Sequence, residues 1–395
     1  SGSAGVSVSH GGISDDNLLQ RPSVTYMPGS GRAIFAGGRT PSLLSTMDKI
    51  SIPTKGNASD FGNLASTTRD VANASSMTRA LTAGGYISDY TDTIESVEFA
   101  TEGNGSDFGN LIAGTYSAQT GNIGNTTRGI FSGGHVSPTQ INVMQYVTIA
   151  TVGNTTDFGD LSLARQDIAG VSNSTRGING GGVKAASPYQ TNIIDYITIA
   201  STGDAADFGD LLTAKSNGVG LSSSTRGTFG GGYITNAVTN VNEYVTIAST
   251  GNSTDFGNLL NAVGSGLAGF CDGHRGCFGG RVTGSANQND NYGVQYITVA
   301  STGDSTDFGD LTVYRYSVAA VENGTRGVIG AGRSGGYVNT MDYVTIASTG
   351  NAADFGDATI AVKGRGSAAN GPRGVFAGGV DGFSITPNRG NMTRK

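Results

Sequence analysis

The chain has 395 residues, of which 36% are hydrophobic and 65 are glycine, and its formal charge at pH 7 is −6. This acidic balance, without any run of Lys or Arg, makes nucleic acid and anionic membrane poor partners. No apolar stretch approaches the roughly 20 residues of a membrane span, and residues 1–10 lack the basic and apolar regions of a signal peptide. The sequence therefore predicts a soluble protein with no membrane insertion.

A tandem repeat covers most of the chain. The triplet Asp-Phe-Gly occurs seven times, 47 to 52 residues apart, which is the spacing of one supersecondary unit repeated in series. The triplets begin at Asp60, Asp107, Asp157, Asp207, Asp255, Asp307 and Asp354. A kinase-like magnesium role fails because no Gly-rich phosphate loop, paired Lys or His-Arg-Asp motif accompanies them. Residues present in every copy are expected to hold the copies together, so function is expected where the copies differ.

Each copy contains four strand-length blocks. In one copy, block a covers 167–173, block b 176–182, block c 194–201 and block d 207–211. Each block is rich in β-formers or small residues and is bounded by Gly, Asn, Asp or Ser. Block c alternates large apolar residues with Thr, block b ends in Gly-Gly, and no copy shows a helical period. Four antiparallel strands repeated about every 50 residues predict a β-propeller blade.

The block order resembles the kelch repeat: an inner strand, an apolar strand ending in Gly-Gly, a Tyr-bearing strand, and a strand with an aromatic residue before an Arg. Phe208 stands where kelch repeats usually have Trp, and Arg165 or Lys215 stands near the kelch Arg that starts the next unit. The wording Tyr-Val-Thr-Ile-Ala-Ser-Thr-Gly-Asn-X-X-Asp-Phe-Gly-Asp-Leu, followed by Ser-Thr-Arg-Gly-X-Phe-Gly-Gly-Gly, is similar to repeats in structural and tail-fibre-like proteins of marine cyanophages. This resemblance covers about residues 22 to 380 and implies a virion protein.

The repeats predict a single all-β propeller over residues 1–395. Residues 1–21 are expected to supply N-terminal closing strands, 22–380 the kelch-like repeats, and 381–395 a C-terminal strand and tail. Complete c and d blocks number seven, but eight b blocks begin with Arg, at Arg32, Arg79, Arg128, Arg176, Arg226, Arg275, Arg326 and Arg373. We therefore expect eight blades, the last closed by pairing of N- and C-terminal strands, with seven blades as the alternative. The candidates for the missing strands are Val6–Ser9, Asp15–Leu19 and Phe383–Thr386.

The a–b turns and c–d turns are expected at one rim of the ring, because antiparallel strands alternate in direction. This rim, called the constant rim, carries the repeated Arg and Asp residues, and we expect Arg176-type residues to pair with Asp207-type residues. A calcium site at Asn252, Asp255 and Asn258 is an alternative use of the c–d turn, but Asx turns explain these residues more simply.

The cysteines give no strong metal signal. Cys271, His274 and Cys277 have the spacing C-x-x-H-x-x-C in one a–b turn, but no fourth ligand is local. Two ordinary thiols or a cross-strand disulfide are favoured over zinc. We predict no metal, no cofactor and no catalytic residue.

The b–c segments differ in length and content between copies, whereas the a–b and c–d turns barely change. They are expected to lie with the d–a segments on the opposite rim, called the variable rim. Exposed Tyr, His and Arg on a rigid scaffold suit a carbohydrate or protein surface. The candidate ligand-binding residues are Tyr86, Tyr90, His135, Tyr189, Tyr233, Arg281, Tyr292, Arg333 and Tyr337. The alternative is that these loops vary because nothing constrains them.

The resemblance and the variable rim together predict a non-enzymatic structural or recognition module of a phage virion appendage, on the virion surface or extracellular. Its expected partners are other virion or fibre proteins, a host surface glycan or protein, and further copies of itself. One alternative is a bacterial surface or filament assembly protein. Another is a propeller lyase or oxidase with its site in the central channel or on the rim.

Overall fold

The computed structural model describes residues 32–69, 71–112, 121–136, 138–235, 237–264, 268–280, 293–363 and 366–369, with two-residue strands at 6–7, 13–14 and 375–376. Every regular element in these ranges is a β-strand, and the main strands form seven four-stranded antiparallel units that follow one another as blades of a ring. The predicted all-β propeller is confirmed.

The strands of each blade are named a to d from the axis outward. Blade 1 contains Gly366–Ala369, Arg32–Ala36, Leu44–Ser51 and Ser59–Thr68, and blade 2 contains Ala72–Ser75, Arg79–Ala83, Thr93–Glu98 and Ser106–Asn110. Blade 3 contains Gly121–Asn125, Arg128–Ser132, Val143–Thr148 and Thr156–Asp160, and blade 4 contains Ala169–Ser172, Arg176–Gly180, Ile193–Thr198 and Ala206–Asp210. Blade 5 contains Val219–Ser223, Arg226–Gly230, Ala237–Thr246 and Thr254–Val263, and blade 6 contains Ala268–Cys271, Arg275–Gly279, Val294–Thr298 and Thr306–Gly309. Blade 7 contains Ala319–Glu322, Arg326–Gly330, Thr340–Thr345 and Ala353–Asp357. The b–c segments add the short strands His135–Val136, Thr139–Gln140, Tyr233–Ile234, Arg333–Ser334 and Gly336–Tyr337.

Blade 1 joins the two ends of the repeat region. Its inner strand, Gly366–Ala369, follows blade 7 in the chain and pairs antiparallel with Arg32–Ala36, with Ala33 opposite Ala369. Closure by pairing of N- and C-terminal strands is therefore confirmed, although the paired strands, residues 32–36 and 366–369, lie within the predicted repeat region 22–380 and not in the predicted closing segments 1–21 and 381–395. The described residues form seven blades, so the prediction of eight is wrong and the seven-blade alternative is confirmed. The count was too high because the first b block and the last a block belong to one blade.

The remaining terminal strands do not build an eighth blade. Three two-residue strands lie on the inner edges of blades 5, 3 and 1, and they are Val6–Ser7, Ile13–Ser14 and Val375–Phe376, respectively. Since each is attached to a different blade, they do not form a sheet of their own. The other residues predicted as closing strands, 8–9, 15–19 and 383–386, and the eighth repeated Arg, Arg373, lie outside the described residues.

Each repeated Arg at the start of strand b bonds its blade to the next blade. Arg176 Nη1 donates to the carbonyl of Ile247 in blade 5 at 2.9 Å, and its guanidinium lies 4.4 Å from the centre of the Tyr196 ring. The corresponding bonds measure 2.7–3.0 Å and start at Arg32, Arg79, Arg128, Arg226, Arg275 and Arg326. The last of these reaches Ile52 of blade 1 and so completes the ring. The predicted pairing with Asp207-type residues is wrong, because the guanidinium bonds a backbone carbonyl.

The Asp-Phe-Gly triplet supplies a second set of bonds between blades. In blade 3 the Phe158 carbonyl accepts from the Gly203 amide of the next c–d turn at 2.6 Å, and its ring packs edge-on against Tyr146 at 5.8 Å. Asp157 is exposed, and its Oδ1 accepts from the Gly159 amide at 3.2 Å, which is an Asx turn. Gly159 has φ +133° and touches the Gly203 carbonyl, so a side chain there would collide. The triplet is a scaffold element, as its regularity predicts.

Buried ion pairs anchor three d–a segments of the described chain to the following blade. They are Arg165–Asp195 at 2.8 Å, Lys215–Glu243 at 2.9 Å and Arg315–Asp342 at 2.8 Å. In each of these pairs, neither side chain is more than 3% exposed. These contacts fix the d–a segments, which carry part of the variable rim.

Candidate ligand-binding rim

The variable rim is built from short rows that continue each sheet beyond its strands. In a row, one residue of the d–a segment pairs with a residue at the start of the b–c segment, which pairs with a residue near that segment's end. The rows are Lys363–Arg39–Leu43 over blade 1, Arg69–Tyr86–Tyr90 over blade 2, Gln166–Val183–Gln190 over blade 4, Ser216–Tyr233–Val238 over blade 5, and Tyr316–Arg333–Tyr337 over blade 7. In the row over blade 3, the described part is the pair of His135 with Gln140. The prediction that the b–c and d–a segments share a rim is confirmed.

The side chains of one row lie on the same face, because directly opposed residues of antiparallel strands point the same way. Each row is numbered by the blade that it lies over, and row 2 shows this in its contacts. The Arg69 guanidinium lies 5.0 Å from the centre of the Tyr86 ring, and the Tyr86 and Tyr90 rings meet edge-on at 6.2 Å. Each row therefore presents a strip of up to three neighbouring side chains.

Rows 2 and 3 meet in a continuous aromatic cluster, which comprises Arg69, Tyr86, Tyr90 and His135. The Tyr90 and His135 rings are 5.5 Å apart, and the Tyr90 hydroxyl lies 3.0 Å from His135 Nδ1. Burial lowers the pKa of His135, opposed by a hydrogen bond to the Pro138 backbone, which favours the neutral ring. Burial also raises the pKa of Tyr90, with smaller contributions from Asp89 and Tyr86. The cluster thus offers aromatic faces and neutral hydrogen-bonding groups across a blade junction.

A polar chain beside this cluster links row 3 to row 4. Gln140 Nε2 donates to Gln166 Oε1 at 3.1 Å, and Gln166 Nε2 lies 3.4 Å from Asp167 Oδ2. The Asp167 carboxylate is buried and its Oδ1 has no hydrogen-bond partner, although the residue as a whole keeps some exposure. Burial raises the pKa of Asp167 to about 6, opposed by bonds from Gln166 and Asn217.

We expect Asp167→Asn to stabilise the protein above pH 6. A folded-state pKa raised above the unfolded value of about 3.9 means that the stability from this group is present at low pH and is lost as the pH rises towards 6 and beyond. Removing the charge should add on the order of 2 kcal/mol to the free energy of unfolding at pH 8 and nothing at pH 4. Asn suits the site, since Asn217 holds the equivalent position with φ +55°, against +56° at Asp167.

The measurement is denaturant unfolding of both proteins from pH 4 to 8. Asp160→Asn is the matched control, because Asp160 is exposed and Asn110 occupies its position in blade 2. Equal stabilisation by both substitutions, or a destabilised Asp167→Asn at pH 8, would contradict the account.

The other rim candidates are spread around the ring. Tyr189 lies over blade 4 and is 55% exposed, and Tyr233 lies in row 5 beside Gly264. Arg333 and Tyr337 form row 7, while Arg281 and Tyr292 lie outside the described residues. The structure brings Tyr86, Tyr90 and His135 together, but not the remaining tyrosines.

Sequence reasoning missed the inner member of each row. Arg69, Gln166 and Tyr316 come from the d–a segments, which were treated as connections. These residues could have been predicted from the sequence. Each stands just before strand a of its repeat, and in an antiparallel sheet the start of strand a lies beside the start of the b–c segment.

The two cysteine thiols lie on opposite faces of the blade 6 sheet. Cys271 packs in the core between blades 5 and 6, whereas Cys277 packs between blades 6 and 7, on the other face of the sheet. Both are buried thiols, and burial raises the pKa of Cys277 well above its usual value. The predicted alternative of two ordinary thiols fits this placement, and a cross-strand disulfide between them does not.

The oxygens considered for calcium are used inside the scaffold. Asn252 Oδ1 accepts from the Asp210 amide at 3.0 Å, and Asp255 Oδ1 accepts from the Gly257 amide at 3.1 Å. The Asp255 bond is the predicted Asx turn, whereas the Asn252 bond joins the c–d turn of blade 5 to strand d of blade 4. Within the described ranges, no group of three or more His, Cys, Asp or Glu side chains is placed to hold a metal ion.

The inner strands approach one another closely around the axis. Gly220 of blade 5 faces the Gly170 carbonyl of blade 4 so closely that a Cβ would collide with it. Ser222 Oγ donates to the Ser172 carbonyl at 3.1 Å, and Ser367 Oγ donates to the Ala320 carbonyl at 3.1 Å. Backbone contact leaves no room for a substrate between blades 4 and 5 at the level of Gly220.

Comparisons with known proteins give the class of the fold. No protein-family model matches the chain, and no curated protein sequence matches it. Among solved structures, the one titled "Structure of YjhT" is similar, with a TM-score of 0.58 over 73% of this chain and 97% of that chain. At 10% identity this likeness concerns the fold alone. The chain is a β-propeller.

The residues that the structure describes contain no helix long and apolar enough to cross a membrane.

Proposed function

We propose that this chain is a non-enzymatic recognition and structural module of a virion appendage, whose variable rim binds a glycan or protein of a host cell surface. The observation that carries the binding proposal is the aromatic cluster of Arg69, Tyr86, Tyr90 and His135. The virion part rests on the resemblance of the repeat wording to cyanophage structural and tail-fibre-like proteins. The proposed location is accordingly the virion surface, with other virion proteins or further copies of the chain as neighbours.

The two rims differ in how their groups are used. On the constant rim, the repeated Arg and c–d turn residues bond the next blade, as Arg176 does to Ile247. On the variable rim, the row residues vary from blade to blade while the backbone pairing is kept. A rigid ring with variable loops on one face is the arrangement in which binding surfaces diversify without loss of the scaffold.

The chemistry of the cluster favours a carbohydrate. Tyr86 and Tyr90 are half-buried and combine an aromatic face with a hydroxyl, which suits the apolar faces and hydroxyls of a sugar. His135 shares a hydrogen bond with Tyr90. Asp89 is exposed in the same loop and can accept from sugar hydroxyls.

The test is glycan-array and host-cell binding by the isolated protein. A triple substitution of Tyr86, Tyr90 and His135 to Ala should weaken binding about 10-fold or more, because aromatic anchors dominate such surfaces. The matched control is Tyr189→Ala with Tyr233→Ala, which removes rim tyrosines over blades 4 and 5. Retained binding by the triple variant, with an unchanged melting temperature, would remove the cluster from the binding site. Equal loss of binding in the control would show that the ligand contacts the whole rim rather than the cluster.

A further inference from the structure

The rows over blades 7 and 1 carry cations on neighbouring blades. In row 7, Arg333 pairs with Tyr316 on one side and with Tyr337 on the other, so all three side chains share a face. In row 1, Arg39 holds the same middle position beside Lys363. Both guanidinium-bearing residues are partly exposed, whereas Lys363 is 5% exposed and has a partner of its own.

These two guanidinium groups are not used by the scaffold. In the described residues, neither Arg39 nor Arg333 has a side-chain hydrogen bond or ion pair, in contrast to Arg165 and Arg176. The b–c segments that carry them, residues 39–43 and 333–337, contain no carboxylate. Arg39 and Arg333, partly exposed and unpaired on an acidic protein, are therefore available to an external anion.

The contact between rows 2 and 3 indicates how rows 7 and 1 are placed relative to each other. In rows 2 and 3 the outer residue of one row, Tyr90, touches the first b–c residue of the next, His135, at 5.5 Å between ring centres. The corresponding positions in rows 7 and 1 are occupied by Tyr337 and Arg39. The arrangement across the junction is therefore Arg333, Tyr337 and Arg39 in succession.

We propose that rows 7 and 1 form a subsite for the carboxylate or phosphate groups of an acidic polysaccharide. The subsite rests on the proposed function, since it names the ligand class of the same variable rim. A guanidinium group binds a carboxylate or phosphate through two parallel hydrogen bonds, and Tyr316 and Tyr337 supply the flanking faces on which sugar rings pack.

Charge on the rest of the molecule favours this ligand over a nucleic acid. The net charge is −6, and exposed carboxylates such as Asp157, Asp207 and Asp307 are distributed around the ring. These carboxylates lie on the constant rim and act on the variable rim only through the net charge, which opposes duplex DNA, with one negative charge per about 1.7 Å, more than a polysaccharide with about one anionic group per sugar.

The probes are polygalacturonate for carboxylate, phosphomannan for phosphate, neutral dextran, and polyglutamate as an acidic polypeptide, each measured by biolayer interferometry at 50 and 300 mM NaCl. We expect the wild type to bind one or both acidic polysaccharides and not dextran, with weaker binding at the higher salt concentration. Arg39→Gln with Arg333→Gln should reduce this binding about 30-fold or more, as expected for loss of two charge-assisted contacts.

Lys55→Gln with Lys184→Gln is the charge-matched control, since Lys55 lies over Tyr343 on the constant rim and Lys184 lies over blade 4. Equal weakening in this control would overturn the subsite in favour of diffuse attraction. Preference for polyglutamate, or no binding of either acidic polysaccharide, would overturn the ligand class. If the wild type binds neutral glycans on the array but no polyanion, the subsite proposal is wrong and the proposed function still holds.

Discussion

Arg165→Val is expected to lower the free energy of unfolding by about 3 kcal/mol or more, because it leaves a buried carboxylate without its partner. Arg165 is fully buried, and its Nη2 donates to Asp195 Oδ2 at 2.8 Å. Its Nη1 donates to the carbonyls of Gly181 and Ile193 at 2.9 and 2.7 Å. The d–a segment after blade 3 is thereby fixed to blade 4, so its loss would also loosen row 4 of the variable rim.

The protein itself contains the neutral version of this pair. Val263 and Gln295 hold the positions of Arg165 and Asp195 two junctions further, between blades 5 and 6. The Val263 carbonyl accepts from Gly232 as the Arg165 carbonyl accepts from Gly134, and Gln295 Oε1 accepts from Leu260. Arg165→Val combined with Asp195→Gln should therefore recover at least half of the loss.

The cost of the single substitution should depend on pH. In blade 2, Glu95 stands at the Asp195 position and Thr68 at the Arg165 position, and burial raises the pKa of Glu95. Without Arg165, the Asp195 carboxylate would be buried without a counter-ion, as that of Glu95 is, so the destabilisation should be smaller at pH 5 than at pH 8. Denaturant unfolding of the wild type, both single variants and the double variant at pH 5 and 8 measures these differences. A double variant no more stable than Arg165→Val would contradict the pairing argument.

The repeat predicted the architecture because each of its features has a local physical cause. Gly-Gly at the end of strand b, the Asp-Phe-Gly turn and the alternation in strand c all fix a strand or a turn within one copy. The number of blades could not be read this way. It depends on whether the b strand at Arg32 pairs with the a strand at Gly366 or with a strand of its own, and a pairing between chain ends leaves no local mark.

The partner of the repeated Arg was mispredicted for a related reason. Arg176 bonds the backbone carbonyl of Ile247, and every residue offers such an acceptor, so the sequence does not distinguish one from another. The only visible partners were the Asp residues of the same rim. The rows of the variable rim were predicted only in part, because each combines residues of a d–a segment and a b–c segment, such as Arg69 and Tyr86. The tyrosines of the b–c loops were found by their variability, whereas their inner neighbours were not.

A disulfide between Ala33→Cys and Ala369→Cys is expected to form in the folded protein and to stabilise it. These residues are direct partners in the antiparallel pair that closes blade 1, and antiparallel partners lie within the Cα separation that a disulfide requires. The bond would close a loop of more than 300 residues, to which the chain-entropy relation assigns about 6 kcal/mol. Cys271 and Cys277 should not interfere, because both are buried in the core.

Formation of this cross-link tests the closed seven-blade ring, on which the assignment of the two rims depends, more directly than any other measurement. The control is Ala33→Cys with Ser75→Cys, which places the second thiol at the equivalent strand-a position of blade 2. Peptide mapping of the oxidised, folded proteins should find the 33–369 link in the first variant and no link in the second. A folded first variant with two free engineered thiols would contradict closure of seven blades by the strand at residues 366–369.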